Sequence, residues 1–254
     1  MLVLVLGITL TAYAGICLFF LLAQRSFIYC PRPSLNPAVT CLTLHRNQTT
    51  IRVASHRHDG PHGLIYFGGN AEDISLTLPE ITAAFPGRAI YMLYYRGYGD
   101  SSGRPTEAGL REDAAAVFEF VRSRHAHVTL VGRSLGSSLA VGLAANHAPQ
   151  RLVLITPFDS ILAIASQIAP FLPMRLLLRD RWESVHDAPQ VHCPTLILAA
   201  GDDELIPAAN TDRLLRAFPD GVASLAVISD TDHNSISVAP AFWQALHDFA
   251  SDES

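Results

Sequence analysis

The chain has 254 residues, 49% of them hydrophobic and 16% charged, and a formal net charge of -5. Its length suits one large α/β domain as well as two small ones. Mild acidity without any basic run excludes the electrostatic footprint of a nucleic-acid binder, and every basic side chain is arginine, which fits a GC-rich bacterial coding sequence.

Residues 1–24, MLVLVLGITLTAYAGICLFFLLAQ, contain no charged side chain. A helix rising about 1.5 Å per residue over that length can cross a hydrocarbon core of about 30 Å. A cleaved signal peptide is the rival reading, since AYA at 12–14 resembles a small-residue cleavage site. The apolar run continues past it through GICLFFLLA, and no basic residue precedes it, which favours an uncleaved single-pass anchor. Arg25 and Arg32 follow it, so the positive-inside tendency predicts that the rest of the chain lies on the cytoplasmic side, in a bacterium that of the inner membrane. CPRPSLNPA (30–38) then reads as a proline-rich linker without regular structure.

VTCLTLHR and TTIRVASHR, on either side of Asn47 and Gln48, predict a β-hairpin. GLIYF (63–67) and AIYMLYY (89–95) are strands with a helical stretch between them. Leu110, Ala114, Val117, Phe118 and Val121 share one helical face. VTLVG, RLVLI (151–155), PTLILAA (194–200) and SLAVIS (224–229) are further strands, and Phe242, Ala245, Leu246 and Phe249 form one face of a last helix. Apolar strands alternating with helices predict an α/β fold with a mostly parallel sheet covered on both faces. The forty or so residues between RLVLI and PTLILAA exceed an ordinary crossover. They fit either one core helix with a long loop or a small helical cap broken at Pro170 and Pro173. As a cap, this stretch would line an acyl pocket with Leu162, Ile164, Ile168, Phe171 and Leu172.

Cys17, Cys30, Cys41 and Cys193 show no zinc-ligand spacing. Cys30 and Cys41 can pair only in an oxidising compartment with Cα atoms within about 7 Å, so free thiols are the expectation.

The candidate chemistry starts at GRSLG. The strand VTLVG stops and a helix begins within a few residues, with Ser134 between Gly132 and Gly136. Such a turn strains the serine backbone, and the flanking glycines remove side chains that would collide there. The turn exposes Oγ at the sheet edge, where a helix N-terminus favours developing negative charge. A serine nucleophile needs a base and an acid, expected in the order acid, then histidine. Asp202 and Asp203 both follow the strand PTLILAA, and His233 follows the last strand. An oxyanion needs backbone N–H donors: Leu135 supplies one, and Asn70, after Gly68 and Gly69, the other. Arg96, Tyr98 and Asp100 in YYRGYGDSSGRPTE are expected to brace the neighbouring loop.

Together FGGNAEDIS, YRGYGDSSGRPTE, GRSLGSSLA, DDELIP and DHN, in that order after a post-anchor SFIYCPRP, resemble the α/β-hydrolase superfamily, and within it the membrane-anchored BEM46-like or ABHD12/13/17-like hydrolases. The resemblance covers nearly the whole chain. It implies an anchor at 1–24, a linker at 25–38 and an α/β-hydrolase domain at 39–254 with a cap insertion at about 157–192. It implies Ser134, Asp203 and His233 as a catalytic triad, since in this branch the acid comes first in the DE-apolar-apolar-P motif. Many relatives have His-Gly before the loop asparagine where this chain has Gly68-Gly69, so a side-chain contribution from that histidine is not carried over. The implied substrate is a small-molecule or lipid acyl ester or thioester, cleaved with no metal or organic cofactor. A serine peptidase on the same fold and a non-catalytic tethered interaction domain are the alternatives.

Overall fold

The computed structural model describes residues 1–46 and 49–251 of the chain. A first helix, α1 (Leu2–Ile28), continues past the uncharged stretch and ends where Tyr29 turns extended, so residues 25–28, expected to start the linker, form its last turn. β1 (Cys41–Arg46) and β2 (Thr49–His56) pair antiparallel from Cys41–Ala54 to Arg46–Thr49. The hairpin turn expected at Asn47 and Gln48 falls outside the described residues.

The remaining strands alternate with helices. β3 (His62–Phe67) leads to α2 (Ile74–Ala84), and β4 (Ala89–Leu93) to α3 (Glu107–Arg122). Next come β5 (His127–Arg133), α4 (Leu135–Asn146) and β6 (Arg151–Ile155). The helix starts are chemically marked: Asp73 and Thr106 accept hydrogen bonds from the N–H groups of Ser75 and Gly109 at 3.0 Å each. The predicted face of α3, Leu110 through Val121, is buried.

Residues 157–192 hold three short α-helices, α5 (Ile161–Ile168), α6 (Met174–Leu177) and α7 (Ser184–Asp187), and one 3-10 turn, Ala188–Gln190. Pro170 and Pro173 lie between the first two, where a missing N–H and a fixed φ prevent one continuous helix. β7 (Thr195–Ala200), α8 (Ala208–Leu215), β8 (Ala223–Ile228) and α9 (Pro240–Ser251) complete the chain.

The eight strands form one sheet in the order β1-β2-β4-β3-β5-β6-β7-β8, and every neighbouring pair from β4 onward is parallel. Successive side chains of a strand point to opposite faces. Ile65 and Phe67 of β3 accordingly join a core with α3, α4 and the cap, whereas Leu64 and Tyr66 join one with α2 and α9. This two-sided cover makes the strands apolar throughout. All four cysteines are free thiols. Burial raises the pKa of Cys193 to about 11.

α1 is long and apolar enough to cross a membrane. Its C-terminal turns are also fixed to the domain. Buried Gln24 donates to the Leu177 carbonyl at 2.9 Å and accepts from the Arg179 N–H at 2.6 Å. Asp180 accepts from Arg25 Nε at 2.9 Å and from the Tyr29 hydroxyl at 3.0 Å. Trp182, fully buried, donates its indole N–H to Tyr29 Oη at 3.3 Å.

Candidate active site

Four segments meet at the C-terminal edge of the parallel strands, where open α/β sheets bind ligands. Ser134 stands between β5 and α4 at φ 50°, ψ -114°, a region that non-glycine residues rarely adopt. The strain costs about 1–3 kcal/mol and is held by its surroundings: the Ser134 N–H donates to the Ile155 carbonyl at 2.8 Å, and the Ser137 N–H to the Ser134 carbonyl at 2.9 Å. Gly132 and Gly136 are packing requirements. A Cβ on Gly132 would run into the backbone of Gly136, and one on Gly136 into the carbonyl of Phe67.

His233 follows β8, with its side chain 10% exposed. Its Nε2 lies 2.9 Å from Ser134 Oγ and its Nδ1 2.8 Å from Asp203 Oδ2. The second oxygen of Asp203 accepts from the N–H groups of Leu205 and Ile206 at 3.0 and 2.8 Å. Asp202, its neighbour, is exposed. The turn carrying His233 is pinned from two sides. Arg133 Nη2 donates to the Asn234 carbonyl at 3.0 Å. Asp232 accepts from the Asn234 and Ser235 N–H groups at 2.8 Å each, which hold its carboxyl below the usual range.

The loop after β3 lies against this pair. Gly69, Asn70, Ser134 and Leu135 line one cavity. Leu135 is the first residue of α4, so no carbonyl of its own helix accepts its N–H. Asn70 is oriented through its backbone: its carbonyl accepts from the Tyr98 hydroxyl at 2.6 Å and the Cys30 N–H at 3.2 Å. Tyr95 donates to the Gly68 carbonyl at 2.7 Å. Glu72 accepts from the Gly69 N–H at 2.8 Å, Tyr66 Oη at 2.9 Å and Thr77 Oγ1 at 2.7 Å. Burial pushes the Tyr66 and Tyr95 phenols well up, so both remain donors. Arg96 forms a bidentate pair with Asp113 at 2.7 and 2.9 Å, and Asp100 is exposed. Sequence reasoning missed Tyr66, Tyr95 and Glu72. The tyrosines had a signal, as polar-tipped aromatics at the C-terminal end of β3 and just beyond that of β4.

The cavity measures about 730 Å³ and is mostly apolar, with Ser134 and His233 in its lining. Of the five cap residues expected there, Ile164 and Ile168 line it. Leu162 and Leu172 are buried in the core instead, and Phe171 is 66% exposed on the outer surface. α1 also lines the cavity, through Phe20, Gln24, Phe27 and Ile28. That contribution was invisible in the sequence, because an uncharged apolar run reads as membrane segment whichever face it presents.

No family model matches the chain. It is 32% identical over 230 residues to uncharacterized protein Rv2307c of Mycobacterium tuberculosis, covering 84% of this chain and 82% of that one. It is 24% identical to protein bem46 of Schizosaccharomyces pombe over 197 residues, 73% of this chain and 66% of that one. Mouse alpha/beta hydrolase domain-containing protein 10 superposes with a TM-score of 0.64 at 17% identity, over 84% of this chain and 97% of that one. The chain belongs to the α/β-hydrolase family, in its BEM46-like branch, and is a hydrolase. Ser134, at its strand-to-helix turn, faces a cavity that α1 helps to enclose.

Proposed function

We propose that this BEM46-like hydrolase cleaves carboxylic esters or thioesters of acyl chains through a Ser134–His233–Asp203 triad. One observation carries the reading: a continuous hydrogen-bond chain runs from Asp203 through His233 to Ser134, and it ends in a largely apolar cavity of about 730 Å³. His233 Nε2 takes the Ser134 proton as Oγ attacks the acyl carbonyl, while Asp203 keeps Nδ1 protonated and stabilises the imidazolium. The N–H groups of Leu135 and Asn70 receive the tetrahedral oxyanion. Collapse expels the alcohol or thiol, protonated by His233. Water activated by the same histidine then releases the acid from the acyl-enzyme.

An apolar lining favours acyl chains over peptides, whose backbone would leave polar groups unpaired there. The test is a fluorophosphonate label with wild type and Ser134→Ala. Labelling and p-nitrophenyl ester turnover are expected in wild type, with turnover at least about a thousandfold lower in the variant. Equal labelling of both proteins would sink the assignment.

A further inference from the structure

The cap and α1 meet at two levels. At one, Gln24 and Arg25 hold Leu177, Arg179 and Asp180. At the other, the Tyr13 hydroxyl donates to the Phe171 carbonyl at 2.9 Å. Twelve positions of unbroken helix separate Tyr13 from Arg25, an axial distance of about 18 Å. Arg25 is the first charged residue along α1. Phe171 therefore sits far along the uncharged part of the helix, more than half the roughly 30 Å of a hydrocarbon core away from its charged end.

The surfaces between these two levels agree. On α1, Leu18, Phe19 and Leu22 are 55, 57 and 71% exposed. On the cap, no charged side chain occurs between Asp159 and Arg175, and Ile168, Phe171 and Leu176 are 77, 66 and 82% exposed. Whatever layer covers α1 at Phe19 also covers the cap tip beside it. A membrane is the layer that fits the first, since α1 is long and apolar enough to cross one. Arg175 and Arg179, both exposed, lie on either side of Leu176 in the chain, and their long side chains can reach an anionic lipid surface from there.

We propose that the cap tip seats the side chains of Ile168, Phe171 and Leu176 in the hydrocarbon layer beside α1, and that the cavity draws its acyl chain from that layer. The mouth is formed by Phe27, Ile168 and Leu205, which line the cavity and are 58, 77 and 59% exposed. The second clause rests on the hydrolase reading of the site; the first does not. Burying the three tip side chains supplies the driving force, since the transfer of apolar surface out of water is favourable.

The test uses the full chain in phosphatidylcholine vesicles with acyl-brominated lipid. Phe171→Trp is expected to fluoresce with a blue-shifted spectrum and to lose at least about half its added signal to the bromines, as a residue in the acyl region does. Leu176→Trp serves as a second probe. Val227→Trp, on the outer edge strand β8, is expected to be quenched by aqueous iodide instead. Iodide quenching at 171 and 176 would overturn the proposal. So would a blue shift at both positions without bromine quenching, which would mean cover by a second copy of the chain. For the second clause, Phe171→Asp/Leu176→Asp is expected to cut turnover of a long-chain ester in vesicles about tenfold or more and to leave p-nitrophenyl acetate turnover within about twofold. Equal losses on both esters would overturn that clause. Loss of all activity in the wild type would count against the ester reading, while bromine quenching would still decide where the tip lies.

Discussion

At the residue scale, the site depends on one strained serine and a loop held by buried hydroxyls. At φ 50° a Cβ is unfavourable, so Ser134→Gly should be more stable than Ser134→Ala by about 1 kcal/mol in denaturant titrations. Equal midpoints would mean that the turn carries no strain. The tyrosines give a pH dependence. Burial raises the Tyr66 and Tyr95 phenols above the ordinary value near 10. Below that pH both are protonated, folded or unfolded, and their stabilising contribution is complete. As pH rises past about 10, the unfolded chain releases protons that the fold retains, so stability falls. Guanidinium midpoints should therefore drop from pH 9 upward, and Tyr66→Phe/Tyr95→Phe should flatten that drop. A parallel drop in the double variant would assign it to other groups.

At the scale of elements, the first turn of α4 is pressed against the end of β3. A Cβ at Gly136 would meet the Phe67 and Gly68 carbonyls, and backbone cannot yield as a side-chain tip can. Gly136→Ala should therefore cost about 3 kcal/mol or more, by overpacking between two fixed elements, and should reduce activity with it. A loss under about 1 kcal/mol would show that the helix can slide. The elements themselves were legible. Periodicity located the strands and the buried face of α3 because both faces of the sheet are covered, which leaves little polar signal to confuse them. The branch between core helix and cap was not legible, because an apolar helix looks the same whether it faces a core, a cavity or a membrane.

At the scale of the molecule, the cavity is shared between parts far apart in sequence: Phe20 from α1 and Ile164 from the cap. Phe20→Ser and Ile164→Ser should both shift the p-nitrophenyl ester optimum toward shorter chains. Each should lose long-chain turnover by about tenfold, the order expected for about 1.4 kcal/mol of lost apolar contact. Losses equal at two and sixteen carbons would indicate destabilisation instead. The ties of Gln24 and Arg25 to residues 177–180 make the C-terminal turns of α1 part of the domain.

The sequence by itself determined the alternation of strands and helices, the turn at Ser134 and the order of acid and histidine after it. Each of these is written in short-range chemistry: the period of apolar residues, glycines at a turn, and polar groups at strand ends. Which of two adjacent aspartates faces His233 was left open by the residues and suggested only by resemblance. The tertiary structure decided that Asp203 turns inward while Asp202 stays exposed. It also decided that Tyr66, Tyr95, Tyr98 and Glu72 converge on one loop, and that the apolar N-terminal helix closes the cavity. Apart from the six-residue step from Tyr66 to Glu72, these are contacts between segments separated by tens to more than a hundred residues. Hydrophobic burial is non-directional, so the pattern of apolar residues states that a face will be covered without stating by what.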